Sequence, residues 1–186
     1  MKRIAKPLAL LAVTLLCLGL TVLLVGWSDI QELRRAKNWQ VTEFPDPKGE
    51  LAGVTVSVDQ ARAMIVPGKT DRAVVYLRLG LSGEAMADWG WCNVSLTDPK
   101  GREWFPLFNE VGNTAIELLG DGGNSGQSCD SSLRSPPEDG GPSFSDQAFL
   151  VPVDMLDKLR VELSGVNTRP KAVSLPFKPV LRLPPG

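Results

Sequence analysis

The sequence predicts an all-β fold, an antiparallel β-sandwich that follows one N-terminal transmembrane helix. Three observations predict it: an apolar run after a basic start, several segments of alternating apolar and polar residues, and turns rich in Gly, Pro and Asp. Alternation buries one face of a strand and leaves the other in water, which is typical of antiparallel sheets. The chain therefore divides into an anchor at residues 1–27, a juxtamembrane linker at 28–39 and a sandwich domain at 40–186.

The predicted anchor is an uncharged apolar run from residue 8 to residue 25, closed by Trp27. Three basic residues precede it: Lys2, Arg3 and Lys6. A helix of roughly 20 residues crosses a hydrocarbon core of about 30 Å, and this run has that length. The core of a cleaved signal peptide is typically shorter, so we expect a retained signal anchor. Small residues on either side of Trp27 leave cleavage before Asp29 as the alternative.

The basic start also predicts the orientation of the chain. Positively charged flanks favour the cytoplasmic side of a membrane, so the N-terminus is expected inside and the domain outside. This arrangement predicts a single-pass membrane protein whose domain lies outside the cytoplasm. A short helix at 29–37, begun by a capping box at Ser28 and Gln31, would extend the anchor or act as a stalk.

The composition argues against several functions. The chain contains no histidine, which removes the commonest general base and the commonest metal ligand. Its formal charge is −1, and removing the three positive charges of the anchor leaves −4. A mildly acidic domain lacks the basic surface that nucleic acid requires. We therefore expect no nucleic-acid partner, no catalytic or metal site, no cofactor and no enzymatic activity.

Strands are predicted wherever the sequence has a two-residue period. These segments are 54–59, 75–81, 91–97, 158–163 and 173–177. In the second of them, Tyr76 and Arg78 fall on the face that is expected to be wet. After the third, Asp98-Pro99-Lys100-Gly101 matches a type I turn, with Pro at the second position and Gly at the fourth. Segment 102–107 is expected to pair with strand 91–97.

Two other segments are predicted not to be strands. Residues 120–145 are rich in Gly, Ser, Pro and Asp, so we expect a long surface loop. The acidic residues of this loop lack the alternating spacing of a calcium-binding loop. Residues 152–156 resemble one helical turn capped by Asp154.

Cys92 and Cys129 are the two cysteines of the domain, and we expect them to form a disulfide. The alternation places Cys92 on the buried face of its strand, together with Val94 and Leu96. Disulfides persist in oxidising compartments, and this one would hold the polar loop to the core. The alternative is two unrelated thiols, with Cys92 in the core and Cys129 exposed.

Residues 89–108 are rich in aromatic side chains. They include Trp89, Trp91, Trp104, Phe105 and Phe108. One interpretation is a ligand platform of Trp89, Trp91 and Trp104, on which sugar rings would stack. The other is that these rings fill the core and its rim, as large aromatic side chains usually do. The alternation leaves Trp91 either exposed or covered by the long loop.

Three parts of the chain together resemble the membrane-anchored immunoglobulin-like domains of unknown function found in bacterial envelopes. They are the basic start with the apolar run to Trp27, the strand and turn Val94-Ser95-Leu96-Thr97-Asp98-Pro99-Lys100-Gly101, and Phe149-Leu150-Val151-Pro152-Val153 before strand 159–163. The resemblance covers most of the chain. It implies an immunoglobulin-like sandwich in the periplasm, on a single span in a bacterial inner membrane. Such domains offer no catalytic residues to carry over. The Cys–Trp–Cys order of antibody domains is absent, since Trp91 immediately precedes Cys92.

The leading hypothesis is a non-enzymatic interaction module that binds another protein of the cell envelope. The alternative is a glycan-binding module that uses the tryptophan platform. The two hypotheses place the binding surface on different parts of the domain. Which side chains form a surface depends on the three-dimensional fold.

Overall fold

The structure, a computed structural model, describes residues 13–21, 23, 39–120, 127–135, 137 and 141–183. The chain divides into two units, Met1–Trp39 and Gln40–Gly186. In the first unit the described residues up to residue 23 are helical and their side chains are exposed. Among the described residues, no helix is long and apolar enough to cross a membrane. Most of the predicted anchor, the predicted helix at 29–37 and the linker up to residue 38 lie outside the described residues.

The second unit contains ten strands within its described residues. They are β1 (Gln40–Glu43), β2 (Lys48–Leu51), β3 (Val54–Ile65), β4 (Arg72–Ser82), β5 (Cys92–Thr97), β6 (Glu103–Trp104), β7 (Ser143–Pro152), β8 (Arg160–Gly165), β9 (Lys171–Pro176) and β10 (Val180–Leu181).

These strands form two sheets. Sheet A has the order β1-β9-β8-β5-β6, and sheet B has the order β10-β3-β4-β7, with β2 also paired to β3. The central pairs are antiparallel, as predicted. The edge strands β1 and β10 instead run parallel to β9 and β3. The domain is therefore mostly β and sandwich-like.

The main core lies between the two sheets and follows the predicted alternation. On β4, Val75, Leu77, Leu79 and Leu81 are fully buried, and they share one core with apolar side chains of β5, β8 and β9. Burying a side chain of this size contributes about 1.5–3 kcal/mol. This apolar layer is consequently a large part of what stabilises the domain.

Two helices, which the sequence did not lead us to predict, accompany the sheets. They are α1 (Asn109–Leu119) and α2 (Cys129–Arg134). The buried residues of α1 recur at helical spacing, namely Gly112, Ala115, Ile116 and Leu119. This spacing gives α1 one apolar face and one face in water.

Helix α1 covers the outer face of sheet B and forms a second apolar cluster there. Met64, Tyr76 and Ala148 of the sheet lie in this cluster with the buried side chains of the helix. The prediction that the Tyr76 face of its strand is wet is therefore wrong. Tyr76 is fully buried, because α1 takes the place of water.

Helix α2 lies inside the segment predicted as a long open loop, so that prediction is wrong for residues 129–134. It is also wrong for residues 143–145, which begin β7. Ser128 caps the helix by accepting a hydrogen bond from the Ser131 N–H, and Leu133 is buried in the main core. Other parts of the predicted loop, at 121–126, 136 and 138–140, lie outside the described residues. The loop prediction missed α2 because the helix has few apolar residues and depends on contacts from elsewhere in the chain.

The predicted turn at residues 98–101 is confirmed. The Gly101 N–H donates to the Asp98 carbonyl at 2.9 Å, and Asp98 Oδ1 accepts from the N–H groups of Lys100 and Arg102. The strand after this turn is shorter than predicted, since only Glu103–Trp104 pairs with β5. The predicted helical turn near residue 154 is also present, as a 3-10 turn at Val153–Met155, but no side chain caps it.

Candidate functional site

Cys92 and Cys129 form the predicted disulfide, which joins β5 to the start of α2. Their Cα atoms are 5.6 Å apart, within the usual range for a disulfide. Cys129 is the more deeply buried of the two, at 4 % exposed, whereas Cys92 is half-buried. The expectation that Cys92 lies fully in the core is wrong, because this end of β5 forms the edge of sheet A.

Helix α2 covers that edge. On one side, β5 pairs with β8 along its whole length. On the other side, β6 pairs only with Leu96 and Thr97, so the described residues before Leu96 have no strand neighbour there. On the open side, the Cys92 N–H donates to Asp130 Oδ1 at 2.7 Å. An uncovered edge can pair with other chains, and α2 with its disulfide blocks this one.

The three tryptophans of the predicted platform do not form one surface. Trp89 ends a 3-10 turn and is only 1 % exposed, so its ring belongs to the core. Trp91 precedes β5, whereas Trp104 pairs with Leu96 near the other end of that strand. Five residues of strand separate the two positions by roughly 16 Å. A flat platform of all three rings is therefore excluded by this geometry.

Trp91 is nevertheless unusual, because its side chain is 62 % exposed. The Arg134 guanidinium carbon lies 5.8 Å from the centroid of the Trp91 ring, within the range of a cation–π contact. The Trp91 carbonyl accepts a hydrogen bond of 2.9 Å from the Val166 N–H. The backbone that carries this exposed ring is thus fixed on both sides, by Val166 and by the adjacent disulfide.

Trp104 is half-buried, and Arg102 lies over its ring. The Arg102 guanidinium lies 5.4 Å from the Trp104 ring and also pairs with Asp98 at 2.6 Å. Burial opposes ionisation of the Asp98 carboxyl, but hydrogen bonds from Arg102 and from the Lys100 N–H outweigh it, so the pKa of Asp98 is lowered. This cluster stabilises the turn after β5.

A second exposed region lies on and just before α1. Its large apolar side chains are Phe105, Phe108, Val111 and Leu118, which are 64 %, 74 %, 64 % and 50 % exposed. We call these four residues the α1 surface. Val111 and Leu118 are seven residues apart and therefore lie on the same side of the helix, two turns apart.

The charge of α1 is entirely acidic. Glu110 and Glu117 are exposed, and the helix contains no Lys or Arg. The α1 surface is therefore apolar with carboxylates beside it. A contiguous exposed apolar patch on a folded domain is a usual mark of an interaction surface.

Helix α1 is held firmly against sheet B. The Arg62 guanidinium donates to the Leu119 carbonyl at 2.6 Å, which satisfies an open carbonyl at the end of the helix. At the other end, the Leu107 N–H donates to the Ala148 carbonyl of β7 at 2.7 Å. The α1 surface is consequently presented by a fixed element at both ends.

A buried polar cluster lies on the same face of sheet B. The Tyr76 hydroxyl donates to Asp146 Oδ1 at 2.6 Å, and the Arg78 Nε atom donates to the same oxygen at 3.0 Å. Burial and the hydrogen bond to Asp146 raise the pKa of the Tyr76 hydroxyl well above its ordinary value. Tyr76 and Arg78 both donate to the Asp146 carboxylate, so we interpret this cluster as one that stabilises the fold.

The structure also has a groove of about 630 Å³. It lies between the β1–β2 connection, the middle of β3 and the ends of β8 and β9, and it is lined by Pro45, Pro47, Val58, Phe177 and Lys178 among others. Its charged residues are of both signs, Asp59 and Asp157 against Lys158, Arg160 and Lys178. This mixture selects no class of ligand.

Carboxylates approach one another on sheet A. Burial raises the pKa of Glu162, the Thr97 hydroxyl at 2.9 Å opposes this by hydrogen bonding, and the charges of Glu103 and Glu43 raise it further. Among the described residues, no group of three or more Cys, Asp or Glu side chains is arranged to hold a metal ion.

Comparisons of the chain with protein-family models, with curated proteins and with solved structures found no match. Any assignment of function therefore depends on the surfaces described above.

Proposed function

We propose that the chain is a membrane-anchored interaction module of the bacterial envelope. In this proposal residues 1–27 remain as a single-span anchor, with the N-terminus in the cytoplasm. The immunoglobulin-like sandwich lies on the other side of the membrane, where it binds another envelope protein and catalyses no reaction.

The observation that carries the proposal is the α1 surface. An amphipathic helix that offers apolar side chains to a groove of a partner is a recurring mode of protein recognition. The neighbouring Glu110 and Glu117 favour a partner whose apolar groove is bordered by Lys or Arg. They oppose binding to anionic lipid headgroups and to a second acidic α1 surface of the same chain.

Two further observations support the location. The described apolar side chains of the N-terminal helix are exposed, for example Leu16 at 66 % and Leu23 at 67 %, which suits a lipid environment better than water. The disulfide between Cys92 and Cys129 suits an oxidising compartment outside the cytoplasm.

Glycan binding is the second candidate function, with a single exposed tryptophan in place of the predicted platform of three. Trp89 is buried and Trp104 is distant, so an extended sugar chain has no row of rings on which to stack. The exposed ring of Trp91 is the feature that keeps this candidate in consideration.

Photo-crosslinking in living cells tests the interaction proposal. A crosslinking amino acid is placed at Val111 or at Leu118, with the exposed turn residue Lys69 as the control position. We expect the same protein adduct from both α1 positions and none from the control. Adducts of equal yield from the control, or none from either α1 position, would contradict the proposal.

The charge of the partner is tested in the same assay. The double variant E110K/E117K replaces two exposed carboxylates and should leave the folded domain intact. We expect it to lower the adduct yield from Val111, because like charges would then meet across the interface. An unchanged yield would exclude a basic border on the partner.

A further inference from the structure

The exposed pair of Trp91 and Arg134 has features that packing alone does not explain. The Trp91 side chain is 62 % exposed, so it contributes little to the core. Arg134 is also exposed, and among the described residues its guanidinium has no carboxylate within salt-bridge distance. An aromatic ring and a cation that has no carboxylate partner among the described residues thus lie together on the surface.

Arg134 lies over the ring of Trp91. A guanidinium is planar, and its N–H groups form a fork that matches the two oxygens of a carboxylate. The guanidinium carbon lies 5.8 Å from the centroid of the Trp91 ring, and a cation–π contact at this distance limits the positions that the Arg134 side chain adopts. Little side-chain entropy is then lost when an anion binds.

The segments that carry Trp91 and Arg134 are fixed to each other. Cys92 follows Trp91 directly and is bonded to Cys129 at the start of α2, the same short helix that ends at Arg134. Asp130 of that helix accepts the Cys92 N–H. The two halves of the site are therefore joined covalently and by a hydrogen bond, although they are 43 positions apart in the sequence.

Two exposed amide side chains belong to residues near the Trp91 backbone. Asn93 is exposed on β5, two residues after Trp91 in the sequence. Asn167 is exposed, adjoins Val166 and donates to the Asp88 carbonyl at 2.9 Å. Amide side chains beside an exposed aromatic ring suit a ligand rich in hydroxyl groups, whereas an apolar peptide side chain would need an apolar pocket.

We propose that Trp91 and Arg134 form a binding site for a sugar that carries a carboxylate. The apolar C–H face of the pyranose ring packs on the indole of Trp91, and the carboxylate takes a bidentate hydrogen bond from the Arg134 guanidinium. This site rests on the glycan-binding candidate and names its ligand class. It is separate from the α1 surface and does not depend on the proposed protein partner.

The test uses the full-length protein in detergent micelles and two matched probes. The first is trigalacturonate, and the second is its methyl ester, which keeps the sugar rings and removes the charge. Binding is followed by tryptophan fluorescence, since Trp91 is the exposed member of the described tryptophans, and by calorimetry. We expect trigalacturonate to bind at least tenfold more tightly than the ester.

Variants separate the two contributions. Trp91→Ala and Arg134→Gln should each weaken binding of trigalacturonate at least tenfold, and R134K should restore little of it because lysine lacks the fork. Trp104→Ala is the matched control, since Trp104 also has a neighbouring arginine, and it should bind as the original protein does. Unfolding curves of each variant verify that the domain is folded.

Three results would overturn the proposal. The first is no binding of trigalacturonate, and the second is equal binding by the Trp91→Ala variant. The third is equal competition by triglutamate, which would show that the site recognises charge without recognising a sugar. Crosslinking at the α1 surface is unaffected by any of these results, so the two proposals fail independently.

Discussion

The Tyr76 hydroxyl donates a hydrogen bond of 2.6 Å to Asp146 Oδ1 beneath α1. Tyr76 lies on β4 and Asp146 on β7, so the bond links neighbouring strands at the point where the helix covers the sheet. Arg78 occupies the same carboxylate, and Arg62 binds the end of the helix. The helix that presents the α1 surface is thus seated on a buried polar framework as well as on apolar contacts.

This bond predicts a loss of stability at alkaline pH. Burial and the hydrogen bond raise the pKa of Tyr76 above its ordinary value of 10.0. The stabilisation is therefore complete below pH 10.0 and is lost as the pH rises from there towards the folded-state pKa. We expect the free energy of unfolding to fall more steeply above pH 10.0 in the original protein than in Tyr76→Phe.

The chain has a single tyrosine, so tyrosinate absorbance reports on Tyr76 alone. Ionisation in the folded protein should occur well above the ordinary pKa and coincide with unfolding. Ionisation near the ordinary value, with the fold intact by circular dichroism, would show that Tyr76 is not buried beneath α1.

The disulfide is predicted to stabilise the domain. It closes a loop with a sequence separation of 37, for which the chain-entropy estimate is about 4 kcal/mol. We expect the double variant C92S/C129S to lower the free energy of unfolding in urea by roughly this amount. Cys17→Ser is the control and should change nothing, because Cys17 lies outside the domain and is free.

Helix α1 can be tested through Gly112. A Cβ atom at this position would collide with the Leu107 carbonyl oxygen, and Leu107 is itself bonded to β7. We expect Gly112→Ala to destabilise the domain by about 1–3 kcal/mol, although alanine is the better helix former. Asn113→Ala, on the exposed side of the same helix, should be stabilising or neutral. A stabilising Gly112→Ala would mean that α1 does not pack as described.

Glu162 is predicted to oppose folding when it is ionised. Its pKa is raised by burial and by the charges of Glu103 and Glu43, so ionising Glu162 costs more free energy in the folded protein than in the unfolded chain. Stability linked to this group is present below its ordinary pKa and is lost as the pH rises through the folded-state value.

Substitution of Glu162 by Gln should therefore raise the unfolding temperature at neutral pH. The amide oxygen still accepts the hydrogen bond from the Thr97 hydroxyl, and the repulsion is removed. The advantage should disappear in acid, where both side chains are neutral. A variant that is less stable than the original protein at neutral pH would argue that ionised Glu162 is favourably paired.

Much of the sandwich could be predicted from the sequence because its signals are local. The alternation on β4 and β8 is a two-residue pattern, and the turn at Asp98 needs only four residues with the right chemistry. The disulfide was also predictable, since the domain has two cysteines. Each of these features depends on neighbours in the chain or on a simple count.

The remaining features depend on contacts between distant segments. The spacing of Ala115, Ile116 and Leu119 carried a helical signal, but Gly112 and Asn113 weaken the propensity of the segment. Helix α2 is short and polar. Its Ser132 hydroxyl donates a hydrogen bond to the Phe144 carbonyl of β7, a contact that the local sequence does not reveal.

The candidate site was only partly predictable. Trp89 lies in a 3-10 turn, so the strand pattern could not show that it is buried. Arg134 and Trp91 meet only because the disulfide and the edge of β5 bring α2 to the same place. No local pattern in the sequence predicts that these two side chains lie close together.

We propose above that an anchor at residues 1–27 holds the domain outside the cytoplasm. Protease accessibility in intact spheroplasts, with an antibody tag after Gly186, tests it most directly. We expect the tag to be digested while a cytoplasmic marker stays intact, and the undigested protein to remain in the membrane fraction after an alkaline wash. Full protection of the tag in intact spheroplasts, or release of the protein by the wash, would contradict the account.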